Sequence, residues 1–349
     1  MPITSENPMG TEGFSFLEFA SDEVAKLEQI FTQLGFSCVY RDEAKQRIHY
    51  SQQRIHFIIN THPDSHANGF SQIHHTGVCG MAFRVTDPDY AYQHALKMGA
   101  KPFTPSHLPF PAIEGIGGTA LYFVNKTSEA LAFPFLETME ANQSLGLIQI
   151  DHLTHNVKRG QMAVWKDFYE RLFGFKPIRY FNIQGQHTGL ISYALASPCG
   201  QIKIPLNEST DDHSQIEEFI ATFNGEGIQH VAFKTEDIYQ SVEDIGKQGI
   251  HFMQVPDTYF EMIATRIPAH EENLARMKKN KILIDGDMTA GIHNILLQIF
   301  TEPLFGPVFF EIIQRKGNQG FGEGNFQALF ESIERDQIQR GVLSTQGKS

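Results

Sequence analysis

The chain has 349 residues, 41% of them apolar and 19% charged, with a formal net charge of -12; this is the composition of a folded globular protein of about two domains. The acidic balance, with no basic run beyond short pieces such as RMKKNK (276–281), argues against a nucleic-acid duplex or an anionic membrane surface as partner. Three scattered cysteines, Cys38, Cys79 and Cys199, the lack of a basic-then-apolar leader and the lack of any run of 18 apolar residues lead us to expect a cytoplasmic protein without disulfides or a thiolate zinc site.

Taken in chain order, the pattern repeats four times. A strand-like run opens each unit: GFSFLEFAS (13–21), CGMAFRV (79–85), QIDHLTHNV (149–157) and IQHVAFKT (228–235). A helix-like run follows and stops at Gly35, Gly99, Gly174 or Gly249, because glycine takes the left-handed conformation past a helix end at little cost. The second and fourth units align without a gap: Gly80 to Gly99 and His230 to Gly249 are both 19 residues. The expected last strands are RIHFIIN (54–60), LAFPFLE (131–137), QIKIPLNE (201–208) and VFFEIIQR (308–315). Four such units pair into two domains, with the boundary in the polar stretch TMEANQSLG (138–146).

Two of the opening strands carry a histidine, His152 and His230, whereas Gly80 holds the place of His230 in the N-terminal half. The last strand adds Glu311, a carboxylate in an apolar run that is costly to bury unless paired or bound to metal. Two imidazoles and one carboxylate suit ferrous iron with open positions for substrate and oxygen. The pattern by itself leaves open whether these residues hold a metal or are hydrogen-bonded structural groups. Strand alternation puts His155 on the face opposite His152, groups His152 with Ile148 and Ile150, and groups His230 with Ile228 and Ala232. His74, His75 and His213 are expected in polar or turn-like surroundings.

With IDHLTHNV (150–157), PLNE (205–208), GIQHVAF (227–233), LLQIFTEP (296–303), FFEIIQR (309–315) and GFGEGNFQALF (320–330) in this order, the sequence resembles the 4-hydroxyphenylpyruvate dioxygenases of the vicinal-oxygen-chelate superfamily. The resemblance is strongest over 148–335 and weaker, though organised alike, over 12–140. It implies an α+β fold of four βαβββ modules paired into two half-open barrel-like domains. Residues 1–145 would form an N-terminal domain without metal ligands, serving support and assembly. Residues 146–349 would form the catalytic domain, with a C-terminal helix over the active site. It further implies Fe(II) as cofactor on His152, His230 and Glu311, 4-hydroxyphenylpyruvate and O2 as substrates, and a homo-oligomer, either dimer or tetramer.

By the same resemblance Ser192, Asn207, Gln215, Gln229 and Gln298 are the polar groups of the substrate pocket. Phe309, Phe321 and Phe326 are its aromatic walls, with Asn325 beside them. Phe326 stands where the related hydroxymandelate synthases carry a smaller aliphatic residue. One departure is Tyr259-Phe260, where many members have two tyrosines. The implied reaction gives homogentisate and CO2 in tyrosine and phenylalanine catabolism, by oxidative decarboxylation, ring hydroxylation and side-chain migration. The run 320–340 reads as a Gly-rich loop and a helix, with Leu329, Ile333 and Ile338 at helical spacing, and we expect that helix to gate the pocket. Competing readings are a hydroxymandelate synthase, an extradiol ring-cleaving dioxygenase and a non-catalytic aromatic-binding module.

Overall fold

The four expected helix stops are present. The computed structural model describes residues 1–104, 108–134, 144–184, 189–212, 214–268, 270–287 and 294–328. In it the helices Val24–Gln33, Pro88–Lys97, Met162–Phe173 and Ile238–Lys247 lead into Gly35, Gly99, Gly174 and Gly249 at φ of +88°, +88°, +70° and +95°. Each helix buries a face spaced by three and four residues, as Leu27, Ile30 and Phe31 do in the first and Ile238, Val242 and Ile245 in the last.

The strands of the N-terminal half are β1 (Thr11–Ala20), β2 (Ser37–Asp42), β3 (Arg47–Gln52), β4 (Ile55–Asn60), β5 (Gly77–Val85), β6 (Ala112–Glu114) and β7 (Ala120–Val124). Those of the C-terminal half are β8 (Gln149–Val157), β9 (Lys176–Gln184), β10 (Gly189–Ala196), β11 (Lys203–Ser209), β12 (Gly227–Lys234), β13 (Leu283–Asp287), β14 (Asn294–Phe300) and β15 (Phe309–Lys316). They form two sheets, in the order β2-β3-β4-β1-β5-β7-β6 and β13-β14-β15-β12-β8-β11-β10-β9. In every unit the first strand lies parallel to the last: β1 with β4, β5 with β7, β8 with β11, β12 with β15. The units join through their first strands, β1 antiparallel to β5 and β8 antiparallel to β12. The result is the expected α+β arrangement of mixed sheets with helices outside. No helix among the described residues is long and apolar enough to cross a membrane.

The second unit departs from expectation. Among the described residues its last strand is β7, 131–134 are not strand, and two strands rather than three follow its helix. The reason is local: Asn125 and Ser128 form a reciprocal capping box that starts the helix Lys126–Ala132, so LAF cannot extend as a strand. Phe133 instead turns inward against Phe16 and Phe110, and residues 135–137 lie outside the described ones.

Between the units of each half sits a further helix, His66–His74 and Gln215–Thr222, capped by Ser65 and Ser214. These two helices meet, which corrects the polar setting expected for His74. It is buried, lies 2.6 Å by Nδ1 from the Phe223 carbonyl oxygen, and stacks on the Phe223 ring. His75 is exposed, as expected, and pairs with Asp22; His213 lies outside the described residues. A helical turn over 323–328 begins the expected C-terminal helix, and Leu329, Ile333, Ile338 and the gate itself fall beyond the described residues.

Candidate metal centre

Strands β8, β12 and β15 lie side by side, and Ala232 of β12 is in register with His152 on one side and Glu311 on the other. Its small side chain leaves the gap between them open, and His230, two residues back, points the same way. The ligand-type atoms of His152, His230 and Glu311 lie within 4.8 Å of one another, and all three residues are buried. Glu311 Oε2 is 3.2 Å from His152 Nε2 and 3.3 Å from His230 Nε2. The other ring nitrogens are taken: His152 Nδ1 lies 2.9 Å from Asp151 Oδ1, and His230 Nδ1 lies 3.1 Å from Gln229 Oε1. Acceptors on Nδ1 hold a proton there, so Nε2, which faces Glu311, is the atom of each imidazole that would give its lone pair to a metal in place of the hydrogen bond to the carboxylate. Glu311 Oε1 has no hydrogen-bond partner among the described residues although it is buried. An orphaned carboxylate oxygen costs roughly 1–3 kcal/mol or more, and a divalent cation would satisfy it together with both Nε2 atoms.

Two β-bulges build this arrangement and correct the strict alternation expected along β8 and β12. The register between these strands slips between Ile228 and His230 and again between Ala232 and Phe233, opposite Asp151. A bulge lets neighbouring residues face the same way. Gln229 therefore reaches the ring of His230, and Asp151 the ring of His152. By the same slips Ile228 and Ile150 do not share the ligand face; they belong to the core with Leu153, Val231 and Phe233. His155 does lie on the opposite face from His152, buried, with Nε2 2.7 Å from the Tyr169 hydroxyl.

Electrostatics follow from the contacts. Burial pushes the Glu311 carboxyl up, but the charge of His152 and hydrogen bonds from both imidazoles outweigh it and hold the group below its ordinary value. Burial likewise disfavours protonation of both histidines. His152, with the Glu311 and Asp151 carboxylates beside it, ends above its ordinary value; His230, with Glu311 alone, ends below it. Asp151 is held well below the carboxylate range despite burial, chiefly by its hydrogen bonds to Arg315.

A cleft with about 470 Å³ of empty space, part of it open solvent, opens onto the three residues. Phe181, Leu190, Ser192, Pro205 and Asn207 from β9, β10 and β11 line it, together with Phe300 of β14, Phe321, Glu323 and Phe326. Seven neighbouring strands touching one cleft, at about 4.8 Å per strand, require the sheet to curl into a half-barrel around it.

Of the expected pocket residues, the structure brings Ser192, Asn207, Phe321 and Phe326 to the cleft. Phe309 stacks on His230 at 4.8 Å without lining the cleft. Gln298 is buried, with its side chain packed against Gly322 beside Phe321. Gln229 is engaged with His230. Asn325 is buried next to Phe326, where its Oδ1 accepts from the Tyr259 hydroxyl at 2.6 Å. Gln215 is not at the cleft: it is exposed at the first turn of its helix, whose Ile216 and Phe219 face the core instead. Sequence reasoning missed Asp151 and Arg315. Their signal was present, as two opposite charges inside apolar strands, one and four residues from a ligand position. Phe181, Leu190 and Pro205 carried no signal, since nothing local shows which way the sheet curls.

The N-terminal half was expected to lack metal ligands; in it Glu18, His66 and Cys79 bring ligand-type atoms to within 4.8 Å of one another. Glu18 is already engaged, accepting from Asn60 and Tyr122 at 2.7 Å each and lying 3.2 Å from His66 Nε2.

Comparison with known proteins agrees with this geometry. Residues 5–136 match the family described as "Hydroxyphenylpyruvate dioxygenase, HPPD, N-terminal", and residues 149–267 match the "Glyoxalase/Bleomycin resistance protein/Dioxygenase superfamily". The chain is 50% identical over 345 residues to a 4-hydroxyphenylpyruvate dioxygenase of Legionella pneumophila (strain Corby), covering 98% of this chain and 99% of that one. It is also 50% identical over 356 residues to a Vibrio vulnificus protein named Hemolysin VllY, at 98% and 99% coverage. A solved variant of the 4-hydroxymandelate synthase of Streptomyces coelicolor shares the fold, with TM-score 0.79 and 22% identity over 94% of this chain and 100% of that one. The chain is a member of the 4-hydroxyphenylpyruvate dioxygenase family.

Proposed function

We propose that this enzyme converts 4-hydroxyphenylpyruvate and O2 to homogentisate and CO2, with Fe(II) held by His152, His230 and Glu311, as a step of tyrosine and phenylalanine breakdown. The observation that carries the reading is the buried Glu311 carboxylate, with Oε2 against two imidazoles whose Nδ1 atoms are already engaged and Oε1 left without a partner. Bound there, ferrous iron would supply the redox chemistry and the open positions for a 2-oxo acid and O2.

The chain's own residues do the rest. Phe321 and Phe326 give flat apolar surfaces for the substrate ring. Ser192 and Asn207, in register on adjacent strands, offer uncharged hydrogen bonds across the cleft. The apolar side chains of Phe181, Leu190, Pro205 and Phe300 keep water from the reacting atoms. Beyond the ligand histidines, no His or Tyr lines the cleft among the described residues, which disfavours ring cleavage assisted by an acid–base side chain. We assign residues 146–349 to catalysis and residues 1–145 to support and assembly, in a cytoplasmic homo-oligomer.

Anaerobic reconstitution with Fe(II), then 4-hydroxyphenylpyruvate and O2, tests the reading. Homogentisate as the product supports it; 4-hydroxymandelate, a ring-opened product or no turnover overturns it.

A further inference from the structure

Asp151 and Arg315 do not line the cleft, yet they join two parts of the site that do. Asp151, turned by the bulge, sits 2.9 Å from His152 Nδ1 through Oδ1. Arg315, four residues beyond Glu311 on β15, grips the same carboxylate with two bonds, Nε to Oδ2 at 2.8 Å and Nη2 to Oδ1 at 2.7 Å. Its remaining arm, Nη1, donates to the main-chain carbonyls of Asn318 at 3.2 Å and Gly320 at 2.6 Å. Those carbonyls belong to the segment that delivers Phe321. The guanidinium lies 5.6 Å from the Phe321 ring centre, and that ring meets the His152 imidazole edge-on at 5.2 Å. The contacts close a circuit: His152, Asp151, Arg315, Phe321 and back to His152.

Stability alone does not account for this pair. Its side chains are only 4% and 6% exposed, and a buried ion pair is often no better for stability than apolar residues of the same volume. An apolar pair could not accept the Nδ1 proton of a histidine while binding two carbonyls from one planar fork.

We propose that Asp151 and Arg315 are a positioning pair: Asp151 fixes the rotation of the His152 imidazole, and Arg315 fixes both Asp151 and the Phe321 wall. Ligand geometry and substrate wall are thereby set together by one guanidinium. This rests on the reading of His152, His230 and Glu311 as metal ligands. It extends that reading to a link between the metal and the aromatic pocket.

The test uses cobalt(II) as probe, because its visible bands report ligand geometry and chelator competition gives its affinity. Two variants are compared with the unchanged full chain: Arg315→Lys, which keeps the charge and loses the fork, and the double variant Asp151→Asn with Arg315→Gln, which leaves no uncompensated buried charge. In both, cobalt should bind roughly 10–100-fold more weakly with shifted visible bands, and the KM for 4-hydroxyphenylpyruvate should rise several-fold. Phe321→Leu should raise KM and leave cobalt affinity unchanged. Unaltered cobalt binding and KM in both Arg315 variants overturn the proposal. So does a change in one without the other, since a single guanidinium then does not set both. If the unchanged chain takes no cobalt, or Glu311→Ala takes it equally well, the ligand reading falls and this proposal with it.

Discussion

In the C-terminal sheet Ala232 separates His152 from Glu311, with His230 two residues back on the same strand. The N-terminal sheet has the same row. Ala82 is in register with Tyr122, Gly80 stands two residues back, and Ala82 falls opposite the register slip at Ser15 and Phe16. The counterparts of imidazole, imidazole and carboxylate are thus Phe16, Gly80 and Tyr122. There the rings of Phe16, Phe110, Tyr122 and Phe133 pack together over the row. The Glu18 carboxylate nearby is bound by the Tyr122 hydroxyl and Asn60. The fold therefore offers the same three-strand row twice, and the side chains decide whether it becomes a cleft with an orphaned ligand atom or an aromatic core.

The sharpest way to break this contrast is to remove a ligand from one row and a ring hydroxyl from the other. Glu311→Ala should lower iron occupancy and homogentisate formation by orders of magnitude with little loss of fold, read as metal content and product yield. Tyr122→Phe should leave both unchanged and cost about 1–3 kcal/mol in denaturant unfolding, because Glu18 Oε2 loses a buried donor.

Next in size, Gly80→His would supply the missing histidine to the N-terminal row. A Cβ there lies 2.8 Å from Glu18 Oε2 and 2.9 Å from a Tyr122 ring carbon. The expected result is a loss of about 1–3 kcal/mol or more and no added metal per chain; a second equivalent of bound metal would show that the aromatic filling does not close the row. Gly322→Ala sharpens the other side. Gly322 has φ +77°, and a Cβ would run into the Gln298 amide. A loss of roughly 1–3 kcal/mol and a raised KM are expected, read by thermal unfolding and steady-state kinetics.

The last effect is confined to acid. His49 and His56 of the N-terminal half are pushed down to about 3 and about 4 from 6.5, His49 by burial and then Arg47, His56 by burial and then Arg84. Between 6.5 and those values the unfolded chain binds more protons than the folded one, so stability is full above 6.5 and falls as the pH drops toward 3. Each group contributes up to about 1.4 kcal/mol per pH unit in that window. His49→Gln should flatten this acid limb in pH-dependent unfolding; an unchanged slope would show that His49 takes up protons equally in both states.

The repeat, the four glycine stops and the three residues that converge in the candidate metal site were legible in the chain from local spacing, while the pattern by itself left open whether those three hold a metal. Alternation also separated His155 from His152 correctly, since no bulge lies between them. It failed at Gln229 and at Asp151, where register slips turn neighbours onto one face. It also failed at LAFPFLE, whose apolar run looks like a strand until Asn125 caps a helix before it. Gln215 was carried over by resemblance, and its helix turns it to solvent.

What the sequence by itself determined is the repeated strand–helix pattern, where its four helices stop, and which residues have the chemistry to bind a metal. Period and turn chemistry are properties of a few neighbouring residues, and they survive without tertiary context. The tertiary structure alone decided that Ala232 opens the gap between His152 and Glu311, and that Phe16 and Tyr122 close the matching gap in the other half. It alone decided that Asp151 and Arg315, 164 residues apart, meet behind His152. These outcomes depend on register between strands distant in the chain, and on the curl of a sheet, which no short window of residues encodes.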